Sequence, residues 1–307
     1  MPELPEVETI RRDLQGEVVG RKIKSVEVRN GRTVRRHPSA KQFRARLEGH
    51  TIKSVDRKGK YLLMALEDGQ TLVVHLGMSG QLQRAKSAKE PKAPHTHAVL
   101  TFTQGGQLRF VDPRTFGELF VSAAPADGER PLPELAHLGF DPLEDVMSWE
   151  KFWALLASHK SGLKALLMDQ EFVAGIGNMY ADEILFAAGL RYDRLSSSLS
   201  SQEVRRLYRA MVETLAEAVK RRGSSLADEQ YRDLFGEIGD YQDQHQAYDR
   251  EGQACRRCRA TIVRVKSGGR STYFCDHCQV RSRPGRAAFD PSTLTRASRD
   301  RGPRPIG

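Results

Sequence analysis

PADGERPLPELAHLGFDPL, residues 125–143, separates two kinds of sequence in this chain. Its four prolines and two glycines break any regular period, so it reads as a linker, drawn at 125–145. Before it, apolar residues recur every second position. KIKSVEV (22–28), TIKSVDR (51–57), KYLLMAL (60–66), TLVVHLG (71–77), AVLTFT (98–103), LRFVD (108–112) and ELFVS (118–122) read as strands bounded by turn residues. So many short strands in about 100 residues predict a β-sandwich. After the linker the period becomes helical. Ser148 opens a helix with Trp149, Phe152, Trp153 and Leu156 on one side, and a second runs from Met179 to Ala188 and stops at Gly189. A third starts with the capping box Ser200–Glu203, buries Val204, Leu207, Met211 and Leu215, and ends before Gly223. The expected fold class is therefore α+β and multidomain.

Outward from this core, residues 4–14 predict a short helix. Pro5 suits its first turn, Glu6 and Glu8 suit the positive end of its dipole, and Val7, Ile10 and Leu14 share a face. Residues 85–96 read as an exposed loop, and 224–250, polar and interrupted by glycine, as a mobile one. The tail after Gln279 is rich in Arg and Pro and reads as disordered. No internal repeat is evident.

With 307 residues the chain is long enough for two or three domains. It has no apolar run of membrane-spanning length, and MPELPEVET is unlike a secretory leader, so the cytoplasm is the expected location. The net charge of +10 suits a polyanionic partner such as DNA, although a merely solvated basic surface has the same composition.

All four cysteines lie in Cys255-x2-Cys258-x16-Cys275-x2-Cys278. In a reduced compartment this spacing favours metal over disulfides, and four thiolates close a tetrahedral zinc site with no open position. One structural Zn²⁺ is expected, on a hairpin turning at Gly268-Gly269.

At the other end, removal of Met1 would leave Pro2 with a free secondary amine. Such an α-amino group titrates near pH ~8, so a useful fraction is neutral and able to attack a sugar C1′. Glu3 and Glu6 stand beside it as proton donors or acceptors. On chemistry alone, a proline and acidic residues that simply open a helix are the more ordinary reading. VAGIGN (173–178) lets a backbone approach a ligand closely, with Asn178 adding a donor, and is equally a plain interhelical turn. Lys60, after a glycine turn, suits a phosphate contact or an acid as well as a solvated lysine. In DPRTFG (112–117), Arg114 and Phe116 suit entry into a gap in a base stack, or a β-turn with its Phe in the core. His95 and His97 lack a third metal ligand and suit surface or phosphate contacts.

Together and in this order, PELPEVET (2–9), DRKGKYLL (56–63), HLGMSGQL (75–82), DPRTFG (112–117), LMDQEFVAGIGNMYADEILF (167–186) and GRSTYFCDHCQ (269–279) resemble the formamidopyrimidine-DNA glycosylases, within the group that includes endonuclease VIII. The resemblance runs from residue 2 to about residue 280. It implies a bifunctional DNA glycosylase/AP lyase of base-excision repair, a monomer acting on damaged duplex DNA and removing 8-oxoguanine and formamidopyrimidines. It further implies that Pro2 is the Schiff-base nucleophile, Glu3 its proton donor and Glu6 a second acid near the sugar. Lys60 matches the general acid of β-elimination, and Arg270 the zinc-hairpin arginine of δ-elimination. Asn178 matches a phosphate ligand. Met78, Arg114 and Phe116 match the trio that fills the hole left by a flipped nucleotide, and His95 and Lys160 match further DNA contacts.

The implied layout is a catalytic β-sandwich domain (1–124), the linker, a helix-two-turn-helix DNA-binding domain with a lesion loop (146–250), a zinc hairpin (251–281) and a tail (282–307). Two alternatives remain: a glycosylase for oxidised pyrimidines of the endonuclease VIII branch, and a non-catalytic, zinc-dependent lesion-binding protein. The chain departs from the family pattern at Thr115, where some members carry a second Arg, and across 224–252, the region of the loop over the extruded base.

Overall fold

The computed structural model describes residues 1–124, 132–226 and 230–280. The Arg-rich tail and part of the linker lie outside the described residues. The first helix, α1 (Leu4–Val18), is longer than the sequence suggested. Eight strands follow: β1 (Ile23–Val28), β2 (Ile52–Lys58), β3 (Tyr61–Leu66), β4 (Thr71–His75), β5 (Gln81–Ala85), β6 (Thr96–Phe102), β7 (Gln107–Val111) and β8 (Glu118–Ser122). A short helix, α2 (Ala40–Ala45), sits between β1 and β2.

The strands form two four-stranded antiparallel sheets, ordered β1-β6-β7-β5 and β2-β3-β4-β8, so the sandwich expected from the period-two pattern is present. Val7, Ile10, Leu14 and Val18 of α1 join its core with Ile23, Leu62, Val74 and Phe110. Strand β8 is buried along its whole length, and on its outer side Leu132 and Leu135 of the linker cover Phe120 together with Val73 of the neighbouring β4. β5 escaped the sequence reading because Gln81, Gln83 and Arg84 leave only Leu82 and Ala85 as apolar signal.

The helical part holds α3 (Trp149–Ala157), α4 (Leu163–Leu167), α5 (Asn178–Ala188) and α6 (Ser201–Lys220) around a second core. Its ends follow local chemistry. The Ser200 N–H donates to Glu203 at 2.8 Å, and Gly189 closes α5 at φ 66°. Finally β9 (Val263–Ser267) and β10 (Arg270–Phe274) form a hairpin through Gly268 and Gly269, both at positive φ, as a two-residue turn of this hand requires.

The described part of the stretch, residues 224–226 and 230–250, corrects the expectation of a mobile loop there, while residues 227–229 lie outside the described residues. Tyr231 and Leu234 are buried in the sandwich core, whereas Tyr241 is buried in the helical core. The Arg84 N–H donates to the Leu234 carbonyl, and the Tyr241 N–H to the Gly223 carbonyl. Burying a side chain such as Leu234 stabilises by about 2 kcal/mol. These anchors are too far apart in sequence to raise the apolar content of any window, so the segment reads as solvent-loving.

Candidate active site

Two turns meet at the start of α1. The Leu4 N–H donates to the Gly175 carbonyl at 2.9 Å, which seats the VAGIGN turn against the N-terminus. Both glycines of that turn are needed. A Cβ on Gly175 would lie 2.7 Å from the Leu4 side chain, and one on Gly177 2.5 Å from the Glu3 carboxyl. On the far side, a Cβ on Gly59 would lie 3.0 Å from that of Ala174, so the β2–β3 turn that precedes Lys60 packs on the same loop.

Pro2 is buried, and Glu3 and Glu6 with it. The Glu3 carboxylate accepts the N–H groups of Gly177 at 2.7 Å and Met179 at 3.0 Å, so it caps α5 from across the molecule. Glu6 accepts the Glu3 N–H at 2.8 Å, the Tyr180 hydroxyl at 2.7 Å and the Ser224 N–H at 2.8 Å. Burial pushes the Glu6 carboxyl up to about 7, and the Glu3 charge adds to this, against the hydrogen bonds from Tyr180, Ser224 and Glu3. Glu6 thus changes charge near neutral pH.

Lys60 is buried beside these carboxylates. Burial lowers its pKa, Glu3 and Glu6 raise it, and Arg270 lowers it again. Arg270 stands exposed at the start of β10, close enough for its charge to act on both Lys60 and Lys164. Its strand is fixed from below. Lys164 lies 2.8 Å from Asp182 and donates to Thr272 Oγ1 at 2.9 Å, while Asp182 accepts the Tyr273 N–H at 3.0 Å. Asn178, at the first position of α5, lines the same cavity as Tyr248, and its buried Oδ1 has no hydrogen-bond partner among the described residues. Pro2, Glu3, Glu6, Lys60, Asn178 and Arg270 therefore surround one region. A cavity of about 150 Å³ opens there between Glu3, Glu6, Asn178, Ser224, Tyr231 and Tyr248.

A network beneath holds the Lys60 turn. Arg57 is buried and bonds Glu8 at 3.1 Å and both oxygens of Asp141, which also accepts the Gly59 N–H at 2.8 Å. Asp141 belongs to the linker, so the linker grips the turn directly.

The expected wedge residues sit on a separate protrusion. Asp112 is fully buried and accepts Ser79 Oγ at 2.6 Å and the Gly117 N–H at 2.7 Å, tying the 76–80 and 112–117 turns together. Met78 (37% exposed) and Phe116 (45%) project from them, and Arg114 lies 5.3 Å over the Phe116 ring. Phe116 is thus not a core residue. Thr115 adopts φ 56°, and its carbonyl accepts Arg32 Nε at 3.1 Å.

His95 is exposed at φ 61° on the loop before β6, and His97 contacts the Asp112 carbonyl at 2.9 Å. Lys160 is exposed between α3 and α4, with no side-chain hydrogen bond or ion pair among the described residues, and is not brought into the cluster. Sequence reading missed Tyr180, Lys164, Asp182, Glu183 and Tyr248. Glu183 accepts the N–H groups of Gln246, Ala247 and Tyr248 and so sets the far wall. The signal available was a pair of carboxylates, Asp182 and Glu183, inside an otherwise apolar helix.

The four cysteine sulfurs all lie within 4.8 Å of one another, with Cys258 and Cys275 3.4 Å apart and Cys255 and Cys278 3.9 Å apart. Zinc–sulfur bonds of about 2.3 Å in a tetrahedron require sulfurs roughly 3.8 Å apart, so the set fits one structural Zn²⁺.

Comparison with known proteins agrees with this arrangement. Residues 1–119 match the formamidopyrimidine-DNA glycosylase N-terminal domain, 138–230 the H2TH domain of the same enzymes, and 252–280 a zinc finger found in FPG and IleRS. A formamidopyrimidine-DNA glycosylase of Pelotomaculum thermopropionicum is 42% identical over 91% of this chain and 99% of its own length. The crystal structure of MutM (Fpg) from Thermus thermophilus superposes with a TM-score of 0.80 at 44% identity, covering 91% of this chain and 98% of that one. The Lactococcus lactis Fpg in complex with abasic-site DNA gives 0.80 at 32% identity, over 90% and 99%. With its N-terminal, H2TH and zinc-finger parts all matched, in that order, the chain belongs to the formamidopyrimidine-DNA glycosylase family.

Proposed function

We propose that this chain removes oxidised purines, 8-oxoguanine and formamidopyrimidines, from duplex DNA in the cytosol and then cuts the strand at the resulting abasic site, with Pro2 as the nucleophile. The observation that carries this reading is the closed cluster of Pro2, Glu3 and Glu6 under Lys60 beside a small buried-walled cavity. The damaged nucleotide is extruded, because a stacked base shields its sugar C1′. The Pro2 nitrogen lone pair forms a bond to C1′ as the glycosidic bond breaks, and the base departs with the proton that the amine gives up. The C1′–O4′ bond then breaks, O4′ taking a proton from Glu3 while the nitrogen lone pair closes the C1′=N bond. The resulting iminium acidifies C2′. Loss of that proton breaks the C3′–O bond with Lys60 as acid, and a second elimination breaks the C5′–O bond with Arg270.

The remaining residues take the roles that the family resemblance implies. Asn178 takes a backbone phosphate at the α5 N-terminus. Met78, Arg114 and Phe116 enter the vacated stack, and His95 and Lys160 contact the DNA backbone outside the cluster. The zinc holds the hairpin that carries Arg270, and does no chemistry, since its four thiolates leave no open position. The working division is 1–124 for the catalytic sandwich, 125–145 for the linker, 146–250 for the helical part and 251–281 for the hairpin, with 282–307 beyond it.

Borohydride reduction tests the mechanism. The protein should become covalently joined to a duplex carrying 8-oxoguanine opposite cytosine. A version extended before Pro2 should bind but neither trap nor cut, because an amide nitrogen lone pair is delocalised. Trapping by the extended version at the normal rate would overturn the assignment. Preferential cutting of thymine glycol would overturn the choice of oxidised purines.

A further inference from the structure

Helix α6 ends in a motif that glycine normally completes. The Arg222 N–H donates to the Val219 carbonyl at 2.9 Å and the Gly223 N–H to the Ala218 carbonyl at 2.8 Å, which is the Schellman pairing. The residue in the left-handed position is Arg222, at φ 59°. An arginine there is strained relative to glycine, so its side chain has to contribute something that glycine lacks.

That side chain reaches two carboxylates on different parts of the molecule. Arg222 bonds Asp13 of α1 at 2.6 Å, and its Nε bonds Asp233 at 3.0 Å. Asp233 is buried and accepts the N–H groups of Phe235 and Glu237, both at 2.9 Å, so it shapes the following turn. Two further contacts converge on the same wall of the cavity. The Tyr231 hydroxyl donates to the Arg222 carbonyl at 2.9 Å, and Ser225 Oγ donates to the Tyr231 carbonyl at 2.8 Å. The adjoining Gly223 cannot change, since a Cβ there would lie 2.7 Å from Glu6 Oε1. Ser224 and Tyr231 line the cavity, so one arginine joins the sandwich helix, the end of α6 and the cavity wall.

We propose that Arg222 is a positioning residue for base release: it clamps the wall formed by Gly223, Ser224, Tyr231 and Asp233 against α1 and so holds the extruded base against Glu3 and Pro2. This rests on the reading of the cavity as the site of the damaged base. Removing a base requires that wall to be in register. Incision at an abasic site, which has no base to hold, does not.

The experiment compares two duplexes, one with 8-oxoguanine opposite cytosine and one with a preformed abasic site, in single-turnover reactions. Arg222→Gly removes the clamp and relaxes the backbone strain. It should slow base release by roughly tenfold to a hundredfold, the scale on which small misplacements act, with abasic-site incision within about twofold of the unaltered protein. Arg222→Lys keeps a cation between the two carboxylates and should recover most of the rate. Asp13→Asn weakens only the bridge to α1, and supplies the same comparison if Arg222→Gly does not fold. Equal rates on both duplexes for the variants and the unaltered protein, or a parallel loss on both, would overturn the proposal. An unaltered protein that cuts abasic sites but leaves 8-oxoguanine untouched would instead overturn the functional reading beneath it.

Discussion

The Glu3 carboxylate accepts the backbone N–H of Gly177, 174 residues away in sequence, at 2.7 Å. The group expected to donate a proton is thereby held by the turn that opens α5. Gly177→Ala would place a Cβ 2.5 Å from that carboxyl and displace it. Base release should fall by about a hundredfold or more, on the scale of a lost general acid, with less effect on incision at a preformed abasic site. Glu3→Gln should give the same selectivity. Gel assays on both substrates check this, and unchanged base release in Gly177→Ala would show that the cap does not set the acid.

Glu6 predicts a pH dependence with a definite sign. Its folded pKa is raised from 4.5 to about 7, so between these values the native state binds more protons than the unfolded chain. Its contribution to stability is then fully present below about 4.5 and is lost as pH rises towards 7, at a rate on the order of 1 kcal/mol per pH unit. Denaturant melts at pH 5 and 7 should show this decline, and Glu6→Gln should flatten it relative to the parent. An identical pH profile in the variant would mean that Glu6 titrates normally.

How much of this was legible depended on distance along the chain. Pro5, the Ser200–Glu203 box, Gly189 and the Gly268-Gly269 turn act within four residues and were readable as they stand. The cysteine spacing was equally plain, because ligand geometry is local. The joining of Glu3 to α5 was not, since neither PELPEVET nor VAGIGN alone says which donors the carboxylate meets. Tyr180, Asp182 and Glu183 lie inside an apolar run that reads as core. Tyr231 and Leu234 bury in a core formed by a different part of the chain, and no local period announces that.

Zinc removal tests the hairpin. The protein should carry one Zn²⁺ per chain, and strong chelation or Cys258→Ser should unfold the 252–280 segment and displace Arg270. Duplex binding should be lost, while the sandwich and its N-terminal amine remain intact. Metal analysis with circular dichroism and binding isotherms checks this. Active protein free of zinc would contradict it.

The linker latch should matter for stability. The Arg57 and Asp141 side chains are both wholly buried, and Glu8 at 3.1 Å and the half-exposed Glu144 at 3.5 Å are Arg57's other acidic partners. Asp141→Ala leaves a buried guanidinium half-compensated and a Gly59 N–H without its acceptor, which should destabilise by about 3–5 kcal/mol. Glu8 adds an acid limb. Burial opposes its ionisation, but hydrogen bonds from Arg11 and Arg12 and the charge of Arg57 hold it down at about 2. That stability is present above about 4.5 and fades as pH falls towards 2. Urea melts across this range should show the limb, and Glu8→Gln should remove it.

The protrusion of Met78, Arg114 and Phe116 predicts where extrusion energy comes from. Phe116 is nearly half exposed although the turn carrying it is rigidly tied through Asp112, so the ring is presented rather than stored. A Cβ on Gly77 would lie 2.6 Å from the Gly117 nitrogen, so the two turns can dock only with glycine there. Unstacking a nucleotide costs a few kcal/mol, and a ring inserted into the gap offsets part of that. Phe116→Ala should therefore slow base release about tenfold from a fully paired duplex. It should matter much less when the damaged base has no partner opposite it, because that base is already partly unstacked. A 2-aminopurine next to the lesion should brighten when the unaltered protein binds and respond less to Phe116→Ala. Equal slowing on paired and unpaired substrates, with an unchanged fluorescence response, would assign Phe116 to surface binding and leave the extrusion step to other residues.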